Sequence, residues 1–122
     1  MKRLYALRGA FFCRNEPEDI IEQTAALFDT LLRENSLAET DIVSLQFSVT
    51  PDLDALNPCA ALRRSGRGGT LALFAQQEPV FAESHGGAIR ALLHCYLEEG
   101  SVPVHVYRNG AEALRPDRAG KP

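Results

Sequence analysis

The chain has 122 residues, of which 45% are hydrophobic and 24% charged, a size and composition that predict one globular domain with a single core. Its net charge of −3 argues against nucleic-acid binding, because proteins that bind nucleic acids concentrate cations that displace counterions from phosphates. No apolar run approaches the roughly 20 residues of a membrane helix, and the N-terminus lacks the basic-then-apolar layout of a secretory signal. We therefore expect a cytoplasmic protein that binds neither nucleic acid nor membrane.

In the first half of the chain, hydrophobic periodicity predicts a strand, a helix and a second strand. The first strand covers residues 2–10. The helix begins around Pro17, with Asn15 as its N-cap and Glu18 completing a capping box, and it ends near Asn35. Residues 43–49 alternate between apolar and polar side chains, which predicts the second strand.

In the second half, Asn57 predicts the cap of a short helix that ends near Arg64, and a strand follows over residues 70–76. A further helix is predicted over residues 86–98, because apolar residues recur there at three- and four-residue steps. That helix would place Arg90 at the edge of its apolar arc.

The last predicted element is a hairpin of two short strands around Asn109-Gly110, a dipeptide that strongly favours such turns. The element order β-α-β-α-β-α-β-β predicts an α+β fold, a mixed β-sheet with helices packed on one face. One domain is expected over residues 1–117, and the polar residues 118–122 are expected to form a flexible tail.

The sequence has no pattern typical of a metal site, a bound cofactor or a catalytic nucleophile. Its three cysteines, Cys13, Cys59 and Cys95, are far apart and lack metal-ligand spacing, which predicts free thiols in a reducing compartment. The glycine-rich stretch 66–69 lacks the Gly-Lys-Ser/Thr ending of a phosphate loop and precedes a strand, so it predicts a turn.

A permanent positive charge, Arg8, lies inside the apolar opening run "LYALRGAFF", where an unpaired guanidinium would be costly to bury. Three further arginines, Arg63, Arg90 and Arg115, also lie at or beside the ends of predicted elements. A single arginine most often makes a surface salt bridge. Several that converged would instead form a site for a small polycarboxylate, because guanidinium groups bind carboxylates bidentately.

Four motifs follow one another over nearly the whole chain: "LRGA", "SVTPDLDALNPCAALR", "QQE" twelve residues before the arginine of "AIR", and "HVYRNGAEALRPD". Together they resemble the monofunctional AroH-type chorismate mutase family. The resemblance implies an intramolecular isomerase that converts chorismate to prephenate in aromatic amino-acid biosynthesis without a cofactor. It also implies a homotrimer with a barrel-like α+β core and active sites in the clefts between neighbouring subunits.

Through this resemblance, Arg8 would bind the carboxylate of the enolpyruvyl side chain, and Tyr107 would donate a hydrogen bond to the same group. Arg90 would reach the ether oxygen and a carboxylate oxygen, and Glu78 would accept a hydrogen bond from the ring hydroxyl. These four are the expected catalytic residues. The resemblance also implies five substrate-binding residues, which are Arg63, Arg115, Leu73, Phe74 and Ala75. The two arginines among them would lie near the pocket mouth.

Two positions depart from the family pattern. Ala60 stands where the family often has a lysine, and Ala75 stands where a cysteine commonly precedes the glutamate by three residues. Neither departure removes Arg90, so we expect the chemistry to survive with weaker substrate binding.

Two other functions are compatible with the sequence. One is an imine-deaminase-like enzyme, a family with a similar trimeric architecture that also uses an arginine against a carboxylate. The other is a non-catalytic trimer that binds a carboxylate metabolite. The joint presence of Arg90, Glu78 and Tyr107 favours catalysis, because a sensor would not need a cation at the ether oxygen.

Overall fold

Five strands form one mixed sheet in the computed structural model, which describes residues 1–114. The strands and helices are, in chain order, β1 (Lys2–Phe12), α1 (Pro17–Glu34), β2 (Ile42–Val49), α2 (Pro58–Arg64), β3 (Ala72–Gln77), β4 (Ala88–Glu98) and β5 (Val106–Arg108). The sheet order is β3-β2-β4-β1-β5. The central strand β4 runs antiparallel to β1 and β2, whereas β5 and β3 pair in parallel at the two edges. This arrangement confirms the predicted α+β fold with a mixed sheet, and the expected tail 118–122 lies outside the described residues.

Helix α1 forms where its apolar stripe predicted it, with Ile20, Leu27 and Leu31 buried against the sheet. The predicted N-cap is wrong, because the helix is preceded by Glu16 and has no side-chain cap. The side chain of Asn15 instead donates to Asp54 and accepts from the backbone of residue 55, so it is committed to another loop. Helix α2 begins as predicted, since Asn57 accepts a hydrogen bond from the backbone N–H of Cys59 at 2.8 Å.

The predicted helix over residues 86–98 is wrong, because most of this segment is the long central strand β4. Its odd-numbered residues from Ile89 to Leu97 are buried under the helices, the period of two that a strand requires. Leu92 and Tyr96 are apolar too, but they lie on the opposite face of the strand. Apolar residues on both faces produced the helical spacing that the prediction used.

The predicted C-terminal hairpin is half right. The turn is present, with φ of +54° at Asn109 and +88° at Gly110, and β5 precedes it. Within the described residues no second strand follows the turn, because Ala111–Leu114 form a 3₁₀ helix whose Ala111 is fully buried. The short run lacks the β-branched and aromatic residues that favour a strand.

The two faces of the sheet differ in whether helices cover them. Both helices pack on one face, so closely that a Cβ on Gly9 would lie 3.0 Å from the Leu27 side chain. We call the opposite side the open face; its apolar members include Leu4, Phe74 and Tyr96, which are 50%, 61% and 46% exposed. Within residues 1–114, neither helix combines the length and the apolar character that crossing a membrane requires.

Candidate functional site: a polar pocket on the open face

Two neighbouring rows of side chains cross the open face. Strand register aligns one row as Tyr107, Ala10, Arg90, Ser48 and Gln76. The next row is Arg8, Leu92, Gln46 and Phe74. The register therefore brings Arg8 and Arg90 to the same face of the sheet, two residues apart along the strands.

Glu78 lies just beyond β3, which its backbone extends by donating to the carbonyl of Val49 at 2.8 Å. Its carboxylate oxygen Oε1 accepts two hydrogen bonds, from Arg90 Nε at 2.8 Å and from the Ser48 hydroxyl at 3.1 Å. Only 13% of the Glu78 side chain is exposed, against 33% of Arg90. The second oxygen, Oε2, and the two terminal nitrogens of Arg90 have no hydrogen-bond partner among residues 1–114.

Arg8 and Arg90 line the same pocket, about 360 Å³ in volume, with Gln46, Ser48 and Gln76. A second hollow of about 410 Å³ adjoins the ion pair on the side of the 78–85 loop. Two guanidinium groups beside one carboxylate make the pocket suitable for a ligand that carries carboxylates and a hydroxyl group.

The backbone of Arg8 is anchored, whereas its head group is exposed. The Arg8 N–H donates to Nδ1 of His105 at 2.9 Å, and the guanidinium has no ion pair within the described part of the chain. Tyr107 lies two strands from Arg90 across the small side chain of Ala10, a separation of about 10 Å at the usual strand spacing. Ala10 is only 1% exposed, so the space above it is covered within one chain, and Tyr107 does not line the pocket that Arg8 and Arg90 share.

The start of β4, which carries Arg90, is held by a carboxylate. Asp52 accepts a hydrogen bond from the backbone N–H of Gly87 at 2.8 Å, in a segment where Gly87 has a φ of +73°. Hydrogen bonds from the Thr50 hydroxyl and from Gly87 hold the pKa of Asp52 below its usual value. The ionised Asp52 side chain therefore fixes the backbone that leads into β4.

Of the expected substrate-binding residues in the described part of the chain, none lines this pocket within one chain. Arg63 is exposed on the last turn of α2, and Leu73 packs against the core under the helices. Ala75 lines a separate hollow of about 310 Å³ between β3 and the 50–58 loop. Phe74 is on the open face at the far end of the Arg8 row, and Arg115 lies outside the described residues.

Sequence reasoning missed the three uncharged polar residues that line the pocket, namely Gln46, Ser48 and Gln76. The alternation of β2 does put Gln46 and Ser48 on one face, but with Arg90 assigned to a helix nothing aligned them with it. No group of three or more His, Cys, Asp or Glu side chains in residues 1–114 could hold a metal ion.

The fold and the pocket define a class of protein, an α+β domain whose sheet carries two arginines and a glutamate together on its open face. Residues 4–118 match the family model "Chorismate mutase type I". The chain is 29% identical over 116 residues to chorismate mutase AroH of Bacillus subtilis (strain 168), covering 91% of this chain and 89% of that protein. A solved chorismate mutase from Clostridium thermocellum superposes with a TM-score of 0.83 at 35% identity, covering 90% of this chain and 99% of that one. The chain belongs to the type I chorismate mutase family and is an enzyme of that class.

Proposed function

We propose that this protein converts chorismate to prephenate in the pocket that Arg8 and Arg90 share. The observation that carries the assignment is the single contact between Arg90 Nε and Glu78, which leaves the terminal nitrogens of Arg90 without a partner among residues 1–114. A guanidinium oriented in this way is a fixed donor for an oxygen of the substrate.

The reaction needs charge stabilisation rather than a nucleophile. The rearrangement is pericyclic, and negative charge grows on the ether oxygen as its bond to carbon lengthens. A cation already fixed beside that oxygen stabilises the transition state more than the ground state. Arg90 has this role in our proposal, which agrees with a sequence that offers no motif for nucleophilic or metal catalysis.

The remaining groups restrict the conformation of the substrate. Arg8 binds the side-chain carboxylate, Tyr107 donates a hydrogen bond to it, and Oε2 of Glu78 accepts from the ring hydroxyl. Anchoring both ends holds the side chain folded over the ring, so that the reacting carbon atoms stay close. The shared pocket of Arg8 and Arg90, with the Glu78 carboxylate bonded to Arg90, supports this arrangement.

The active assembly is a homotrimer in this proposal, with each site completed by the neighbouring subunit. Arg63 and Ala75 lie outside the pocket of their own chain, as expected if they line the cleft of another copy. The exposed apolar residues of the open face support burial against such a copy. The proposed location is the cytoplasm, which agrees with three free cysteines.

The test is to mix the purified protein with chorismate, follow the loss of its ultraviolet absorbance, and identify the product by NMR. We expect prephenate at a rate far above that of a sample without protein. Binding of chorismate without turnover would favour the carboxylate-binding trimer. A protein that neither binds chorismate nor turns it over would contradict both functions.

A further inference from the structure

We propose that Ser48 is a positioning residue that keeps the terminal nitrogens of Arg90 available for the substrate. Ser48 lies directly opposite Arg90 in the antiparallel pair of β2 and β4, so the two side chains project side by side on the open face. Its half-buried hydroxyl donates to Oε1 of Glu78 at 3.1 Å, and Arg90 Nε donates to the same oxygen at 2.8 Å. One carboxylate oxygen thus receives both donors.

A second arginine–carboxylate pair in the chain shows the usual alternative. Arg67 contacts Asp29 at two points, Nε to one oxygen at 2.7 Å and a terminal nitrogen to the other at 2.8 Å. This two-point geometry is the one that a guanidinium and a carboxylate prefer. Glu78 differs from Asp29 in the added donor, because no hydroxyl of the described residues donates to the carboxylate of Asp29. The pairs Arg14–Glu16 and Arg33–Glu34 also have a one-point contact, but they join exposed side chains at most two residues apart in the sequence.

The Ser48 hydroxyl therefore controls the rotation of the Glu78 carboxylate. Two donors that converge on Oε1 fix the plane of the group and turn Oε2 away from the terminal nitrogens of Arg90. Without the hydroxyl, the carboxylate is free to rotate into two-point contact with Arg90, which occupies a terminal nitrogen and moves Oε2 out of the pocket. Both groups that contact the substrate are then misaligned together.

This role rests on the function proposed above, and an isosteric pair of substitutions tests it. Ser48→Thr keeps a hydroxyl, and Ser48→Val has the same shape without one; both residues suit a strand. We expect Ser48→Thr to retain most of the wild-type kcat and Ser48→Val to lose about tenfold, less than the roughly 10²–10³-fold lost with a preorganised donor. KM should change less than kcat, because the lost contact matters most as charge develops.

Two further measurements separate positioning from a structural effect. In a Glu78→Ala background the Thr and Val variants should have equal kcat, because the hydroxyl acts through the missing carboxylate. Crystal structures should show the one-point Arg90–Glu78 contact in Ser48→Thr and the two-point contact in Ser48→Val.

Equal kcat for the two single variants, or a one-point contact in Ser48→Val, would overturn the role of Ser48. A wild-type protein that does not turn over chorismate would instead overturn the proposed function. The crystal structures would still decide whether Ser48 sets the geometry of the ion pair.

Discussion

Arg90 divides its donors between the protein and the pocket, since Nε is held by Glu78 and the terminal nitrogens have no partner within residues 1–114. Arg90→Ala removes both donors to the substrate, and we expect kcat to fall by at least about 10²–10³. Arg90→Lys keeps the charge, but one ammonium group cannot contact Glu78 and the substrate in the same geometry. We expect that variant to lose most of its activity as well.

Steady-state kinetics with chorismate, at matched thermal stability, measure both effects of Arg90. Arg33→Ala is the control, because this arginine is 67% exposed on the last turn of α1 and pairs only with its neighbour Glu34 among the described residues. The control should have wild-type kcat. Near-normal turnover in Arg90→Ala would show that the ether oxygen is stabilised by another group.

Thr24 is a buried polar residue on helix α1. It is 1% exposed, and its hydroxyl has no hydrogen-bond partner within the described part of the chain. An unpaired buried hydroxyl costs about 1–3 kcal/mol, so the isosteric Thr24→Val should raise the free energy of unfolding by about 1 kcal/mol. Urea denaturation measures the change.

The same helix supplies a matched control for Thr24. The Thr30 hydroxyl donates to the carbonyl of Ala26 at 2.7 Å, so Thr30→Val removes a hydrogen bond that is made. We expect no gain in stability there. If Thr24→Val unfolds at lower urea than the wild type, the hydroxyl has a partner in solution, such as a buried water.

At the scale of the elements, the N-terminal turn of α1 depends on a buried carboxylate. Asp19 is 7% exposed and accepts from the backbone N–H of Arg14 at 2.7 Å and from the Gln23 amide at 3.3 Å. The first of these bonds is the main cause that holds the pKa of Asp19 below its usual value. A lowered folded pKa stabilises the protein above the unfolded value of about 3.9, and the contribution is lost as pH falls through the folded value.

Asp19→Asn removes this titration. We expect the variant to be less stable than the wild type by about 1–2 kcal/mol at pH 7, with the gap closing below about pH 4 as the wild-type carboxylate is protonated. Urea denaturation between pH 7 and pH 2 measures the gap. Glu18→Gln, an exposed carboxylate in the same turn, should show a much smaller one. A gap for Asp19→Asn that is equal at both ends of the range would contradict the linkage.

The elements differ in how far the sequence determines them. Helix α1 and strand β2 each have one buried face. Their apolar residues therefore recur with periods of 3.6 and 2 residues, and both elements were predicted correctly. Strand β4 has neighbours on both sides and apolar residues such as Leu92 on its second face, so its period was ambiguous. That error removed the alignment of Arg90 with Ser48, and the resemblance, rather than spacing, supplied the candidate site.

At the scale of the whole molecule, a single chain exposes apolar side chains on its open face that lie outside the pocket. Leu4 and Tyr96 are directly opposite one another on β1 and β4, about 13 Å along the strand from Arg8, and both are about half exposed. Phe74, at the edge of the same face, is 61% exposed as well. Exposed apolar side chains outside the pocket are what a sheet presents if it packs against copies of itself while keeping a cleft for a ligand.

Leu4→Glu tests this assembly, because it places a charge on the apolar end of the open face without touching the pocket. We expect light scattering to give about three times the 13.4 kDa chain mass for the wild type and a shift toward the single chain for the variant. The activity of Leu4→Glu should fall on dilution and recover at high protein concentration, because each cleft of the proposed homotrimer needs groups from a second subunit. Leu4→Met keeps the volume and should remain trimeric. An active, trimeric Leu4→Glu would mean that the subunits meet through another surface.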